Sequence, residues 1–237
     1  MVNGEFGMLK KVLSTFAVLA VVAVSAAAGL NVAGQERFVR PVDEASKDKS
    51  FLAFRTKLIA AAERKDARFI YTVLDRNIKN GFGGNDGIAE FKKMWKPESK
   101  VSGFWDEFLP VIKNGGSFSG EGRNKMGLFI APFSFSNWPE DLDSFDYQLI
   151  FGNNVNLRAS PSMTSEVLER LSYNVVKLIE SRGPTRRDER PTWYKVETLG
   201  GKTGWVNTEF IRSPIGYRAG FEKKSGVWKM TFFVAGD

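Results

Sequence analysis

The chain has 237 residues, 43% of them hydrophobic and 26% charged, an ordinary globular balance with room for one large or two small cores. It holds no cysteine and no histidine, which excludes disulfides, a cysteine nucleophile, a Ser-His-Asp triad and a His-ligated zinc site. A net charge of +7 favours anionic partners such as phospholipid headgroups, acidic polysaccharides or nucleic acid.

Met8-Leu9-Lys10-Lys11 precedes an apolar run from Val12 to Val24, and small residues follow from Ser25 to Gly29. A positive start, an apolar middle and a small-residue exit mark residues 1–28 as an export signal, with cleavage after Ala26 or Ala28. The segment is at the short limit for a spanning helix, so membrane attachment is expected only if it stays uncleaved. The rest of the chain is then periplasmic or secreted, and export argues against a nucleic-acid partner.

Residues 29–48 are polar and read as a linker. From Lys49, residues Phe51, Phe54, Leu58, Ile59 and Ala62 recur at helical spacing. Asp66 is placed to cap a second helix with Phe69, Ile70, Val73 and Leu74 inward. Asn80 to Gly87 (NGFGGNDG) is a turn-rich loop. A third helix carries Ile88, Phe91 and Trp95. A fourth apolar segment runs from Phe104 to Ile112, where Pro110 should kink or divide it, and Asn114-Gly115-Gly116 closes it. Gly127 to Ser136 reads as one strand rich in aromatic residues. After an acidic loop the chain becomes short strands: Tyr147–Phe151, Val155–Arg158, Val167–Leu171, Val175–Ser181, Trp193–Thr198, Lys202–Asn207 and Phe210–Arg212. Many short strands with regular turns suggest a small barrel. Tyr217 to Val234 reads as a hairpin turning at Lys224-Ser225-Gly226, able to complete either half of the protein. The expected class is therefore α+β. A mainly helical α+β domain occupies 49–146, a small barrel 150–213 and a C-terminal hairpin 214–237.

Val155-Asn156-Leu157-Arg158-Ala159-Ser160-Pro161-Ser162 resembles the opening strand and turn of bacterial SH3-like domains. Val167-Leu168, then Trp193-Tyr194-Lys195-Val196, then Gly201-Lys202-Thr203-Gly204-Trp205-Val206 follow in the order that resemblance requires. Alternation puts Val155 and Leu157 inside, Gly201 and Gly204 suit a tight hairpin, and Trp205 is expected to fill the barrel. The insert Arg182 to Pro191 is longer than the minimal loop and carries Arg186 and Arg187. The resemblance implies a binding module that recognises cell-wall peptides or accompanies cell-envelope enzymes. Phe82-Gly83-Gly84, Trp95 and Trp105 also make the first half similar to the leader half of exported proteins with an SH3 domain, a likeness that carries no chemistry.

Among enzyme readings, Glu63, Glu90 and Glu107 near helical segments are the candidates for a glycan-cleaving acid. Exposed helix carboxylates are the plainer account of all three. Ser46-Lys47-Asp48-Lys49, Ser172-Tyr173-Asn174 and Lys202-Thr203-Gly204 mimic a penicillin-recognising serine enzyme, but the serine lies in a polar linker. Gly201-Lys202-Thr203 lacks the glycine a phosphate loop needs at position 196, which is Val196. Glu140, Asp141, Asp143 and Asp146 do not follow EF-hand spacing. No catalytic, cofactor or metal residue is assigned. The candidate ligand residues are Trp193, Tyr173, Arg158, Arg186 and Arg187, with Trp193 on the outer face and Tyr194 and Val196 inside. The expected function is a non-catalytic envelope protein that binds a cell-wall peptide or glycan, or a protein, with the arginines adding attraction to an anionic surface. A carboxylate-dependent enzyme and a structural accessory subunit are the alternatives.

Overall fold

The computed structural model describes residues 34–119, 127–182 and 192–236. Residues 1–28, Arg186 and Arg187, on which the expected export signal and the arginine insert fall, lie outside the described residues.

Two sheets organise the described chain. In the first lobe, helix α1 (Lys49–Glu63) starts at Asp48, whose carboxylate accepts from the backbone N–H groups of Ser50 and Phe51. Helix α2 (Ala67–Val73) starts the same way at Asp66, which accepts from the N–H of Phe69. Short polar acceptors at these positions satisfy donors that a helix start leaves open. The chain then enters strand β1 (Leu74–Lys79) with no intervening turn, a strand that the apolar pattern does not announce. Helices α3 (Ile88–Trp95) and α4 (Phe104–Lys113) follow. Contrary to expectation, Pro110 does not divide α4, which continues through it to Lys113 with the proline on its exposed side.

Strand β2 (Ser117–Ser119) precedes β3 (Leu128–Ala131). The single strand expected over 127–136 stops at Ala131, because Pro132 has no N–H to continue the ladder. Pro132 instead opens the short helix α5 (Phe133–Ser136), with the N–H of Ser136 donating to the Pro132 carbonyl.

The second sheet begins with β4 (Tyr147–Ile150) and continues through β5 (Val155–Arg158), β6 (Val167–Leu171), β7 (Val175–Arg182), β8 (Trp193–Thr198), β9 (Thr203–Asn207) and β10 (Ile211–Arg212). A 3-10 turn at Thr208–Phe210 takes the place of the expected start of the last strand. The spatial order is β10-β4-β7-β8-β9-β5-β6. Among the described residues no pairing joins β6 to β10, so the expected closed barrel is an open seven-stranded sheet. Val155, Leu157, Val176, Val196 and Val206 form its core.

The C-terminal hairpin, β11 (Arg218–Lys224) and β12 (Val227–Val234), returns to the first lobe. It supplies the centre of that sheet, whose order is β1-β12-β11-β3-β2, with β1 and β12 parallel. Ser225 and Gly226 take φ of 49° and 82°, the left-handed pair that a two-residue hairpin turn requires. The helices cover one face of this sheet, and Phe51, Phe91, Phe104, Phe108, Phe129, Phe221 and Phe233 pack together between the layers. The strand segment 147–212 is therefore inserted between two stretches of chain that share one sheet.

Residues 34–48, expected as a linker, touch both lobes. Glu36 accepts from the Thr198 hydroxyl (2.6 Å) and the Asn174 amide (3.1 Å) of the second sheet. The N–H of Val39 donates to the Tyr173 carbonyl, and Phe38 bridges Asn174. Further on, the N–H of Glu44 donates to the Gly116 carbonyl, and Asp43 receives both terminal nitrogens of Arg55. A small apolar cluster of Val39, Phe133, Leu149 and Val175 fills the seam beneath this strap.

Candidate functional site

The facing of β8 decides where a ligand can sit. Its hairpin register pairs Tyr194 with Val206 and Val196 with Gly204, so these four face the core. Gly204 has no side chain because one would lie 2.7 Å from Leu157. Trp193, Lys195 and Trp205 consequently share the opposite face. Trp205 is paired there with Lys195 and Arg158, so it does not fill the barrel as expected. Trp193 is on the outer face as expected, yet it is only 9% exposed.

Trp193 borders a groove of about 250 Å³. Val155, Asn156 and Arg158 line it from β5, Met163 from the following turn, Asn207 from the end of β9, and Glu209 and Phe210 from the 3-10 turn after it. Asn153 and Asn154 complete the rim, the latter at a left-handed φ of 55°. Ser172 fixes that corner: its hydroxyl accepts from the N–H of Asn154 (2.9 Å) and donates to Asn153 Oδ1 (2.6 Å). Asn207 Oδ1 accepts from the N–H of Glu209 at 3.0 Å, which sets the other corner. Arg158 donates to the Ser165 carbonyl at 2.7 Å and has no carboxylate partner among the described residues. The groove thus combines a buried tryptophan, the exposed apolar side chains of Met163 and Phe210, amide groups at both corners, one cation and one carboxylate. Amides supply both donors and acceptors, which suits the backbone of an extended peptide.

Of the predicted ligand residues, Arg158 and Trp193 meet in this groove. Tyr173 does not join them. It lines a separate cavity of about 370 Å³ at the seam, with Asp43, Lys113, Asn114, Phe133 and Phe151. There it holds a φ of 58°, its N–H donating to the Gly152 carbonyl and its ring meeting Phe133 edge-on at 6.1 Å. The groove's asparagines escape the sequence reading, although three of them cluster in Asn153-Asn154-Val155-Asn156 at the start of the opening motif.

Two of the three carboxylates singled out for acid chemistry are engaged: Glu63 pairs with Lys113 at 3.0 Å, and Glu90 lies 3.6 Å from Lys93. In the acidic loop, Asp141 takes both terminal nitrogens of Arg37. In the first lobe, a mostly apolar cavity of about 470 Å³ holds one acid, Asp86. The Lys79 ammonium bonded to it keeps that carboxyl below its ordinary range, so it is ionised at neutral pH and has no proton to give. Among the described residues no group of three acidic side chains is arranged to hold a metal ion.

Residues 153–212 match the family model for the bacterial SH3 domain. No curated protein matches the chain. The matched span begins at Asn153 and ends just past Phe210, so it encloses the whole groove.

Proposed function

From the bacterial SH3 domain that this chain carries over residues 153–212, we propose that the protein is an exported, non-catalytic binding protein of the cell envelope. Its ligand is an extended peptide, of the cell wall or of an envelope protein, held in the groove between Arg158 and Trp193. The observation that carries this reading is the groove's chemistry: a tryptophan floor between two rims of asparagine amides, with an arginine that has no carboxylate partner among the described residues. An extended chain offers the matching donors, acceptors and a carboxylate. The apolar run at the start of the sequence supports export, and among the described residues no helix is long and apolar enough to cross a bilayer.

The test is retention of residues 33–237, which form one compact unit, on purified peptidoglycan sacculi. Asn156→Ala and Glu209→Ala probe the rims without emptying the floor, while Trp193→Ala removes the floor. An Arg186/Arg187 double alanine variant reports adhesion by charge alone. The groove reading expects retention to fall in the first three variants and to survive in the fourth. Retention that only the arginine variant loses would refute the groove, and no retention by the parent protein would turn the search to soluble envelope proteins. Sequencing the N-terminus of the exported protein checks processing at Ala26 or Ala28.

A further inference from the structure

The end of α3 and the turn after it carry an unusual surface. Val101 is 91% exposed and Met94 52% exposed, in a stretch that also holds Lys92, Lys93, Lys96 and Lys100. Single exposed apolar residues are common on any protein. Here the backbone that presents them is fixed on all sides. Lys96 caps α3 at a φ of 43°, its N–H donating to the Lys92 carbonyl. The N–H of Ser99 donates to the Lys96 carbonyl (2.8 Å) and that of Ser102 to the Ser99 carbonyl (3.1 Å). The Ser102 hydroxyl donates to the Trp95 carbonyl at 2.6 Å, which closes the loop and brings Val101 beside the end of the helix that bears Met94. From below, the buried Trp105 indole donates to the Pro97 carbonyl at 3.0 Å. The result is a held knuckle with apolar tips.

Its charges are sorted. Lys92 lies over the Tyr71 ring at 4.3 Å, and Lys93 faces Glu90 at 3.6 Å. The one acid inside the turn, Glu98, is occupied by the Tyr71 hydroxyl. Lys96 and Lys100 have no acidic partner among the described residues, in which they resemble Lys49, Lys57 and Lys65 of the same lobe and differ from Lys79, Lys113 and Lys224. Two cations without an acidic partner among the described residues, Lys96 and Lys100, thus lie on the same short stretch of chain as two exposed apolar residues, Met94 at the end of α3 and Val101 on the turn that Ser102 closes onto Trp95.

The geometry points to a docking surface for an anionic lipid bilayer: Lys96 and Lys100 meet headgroup phosphates while Val101 and Met94 enter the interface between headgroups and acyl chains. An acidic polymer would satisfy the lysines but offers no apolar phase for Val101 and Met94. A bilayer surface supplies both. This surface lies in the first lobe and does not depend on the peptide groove.

The test uses residues 33–237, so that the apolar N-terminal run cannot contribute, and vesicles of phosphatidylcholine with and without phosphatidylglycerol. Partitioning should require phosphatidylglycerol. Neutralising the pair with Lys96→Gln and Lys100→Gln should weaken it roughly 25-fold, and Val101→Asp about tenfold. Because the chain has no cysteine, Val101→Cys carries one environment-sensitive dye, whose emission should shift to the blue on anionic vesicles only. Equal binding to both vesicle types, failure of the parent protein to bind, or an unshifted dye on bound protein would each overturn the assignment. So would a Val101→Asp variant that binds like the parent, since that is adhesion by charge alone.

Discussion

Replacing Glu36 with alanine should destabilise the protein by about 2–4 kcal/mol, although the side chain is only half-buried. The magnitude comes from what the carboxylate leaves behind. Thr198 is 2% exposed and Asn174 5% exposed, and both donate to Glu36. Each buried donor left without an acceptor costs about 1–3 kcal/mol. Water can reach part of the site through the half-exposed Glu36 position, which keeps the sum toward the lower end. At this chain length the loss corresponds to a fall in Tm of roughly 5–12 °C. Urea denaturation of residues 33–237 measures it directly. The accompanying Thr198→Val change separates the latch from general damage. It removes the hydroxyl and its need together, so the double variant should regain part of what Glu36→Ala lost. A loss below about 0.5 kcal/mol for Glu36→Ala would mean that the strap merely rests on the second sheet, and strictly additive losses in the cycle would mean that Glu36 and Thr198 do not act through each other.

Two further changes test the fold at other points. Gly220→Ala in β11 would put a methyl group 2.1 Å from the Phe232 ring, so equilibrium unfolding should show a loss of about 1–3 kcal/mol, and an unchanged midpoint would contradict the packing. Asp43 titrates below its ordinary value of 3.8: burial pushes its proton affinity up, but the Arg55 guanidinium and the Ala45 N–H together outweigh that. A carboxyl lowered by folding adds stability that is complete above its unfolded value and is lost as pH falls through the folded one. The stability of the parent should therefore drop as pH falls below the ordinary carboxylate value more steeply than that of Asp43→Asn, measured by urea midpoints; parallel acid profiles would remove the Asp43–Arg55 pair from the acid sensitivity.

What the sequence discloses and what it hides follow from the range of the interactions. Helix α2 is legible because its signals, Asp66 and the apolar spacing after it, lie within one stretch of chain, and Asp66 caps the helix where expected. The strands Val155–Arg158 and Trp193–Thr198 are legible for the same reason. Strand β1 is not. Its sequence, Leu74-Asp75-Arg76-Asn77-Ile78-Lys79, has little alternation, and its partner β12 lies over 150 residues away by the numbering, so only the tertiary pairing makes it a strand. The strap fails to announce itself because its contacts are polar and distant: Glu36 reads as solvated until Thr198 and Asn174 are brought beside it. At the groove, Arg158 and Trp193 can be found from the SH3-like motifs. The asparagine rims cannot, since Asn153 and Asn207 become neighbours only when β5 and β9 pair.

The course of the chain gives the groove a consequence for the first lobe. The segment 147–212 leaves the first lobe after β3 and α5 and returns to it through β11, which pairs with β3. Both ends of the insert are thus anchored in one sheet, and the strap ties a third point through Glu36 and Val39. A module joined at one end swivels about its linker, whereas one held at its two ends and by a strap loses most of that freedom. Ligand affinity at the groove should then depend on residues that never touch the ligand, because ordering the strap limits the positions the rims can adopt. The Glu36→Ala variant tests this as well. If its rims loosen with the latch, retention on sacculi falls along with stability, while unchanged retention would show that the groove is preorganised by Ser172 and Asn207 alone.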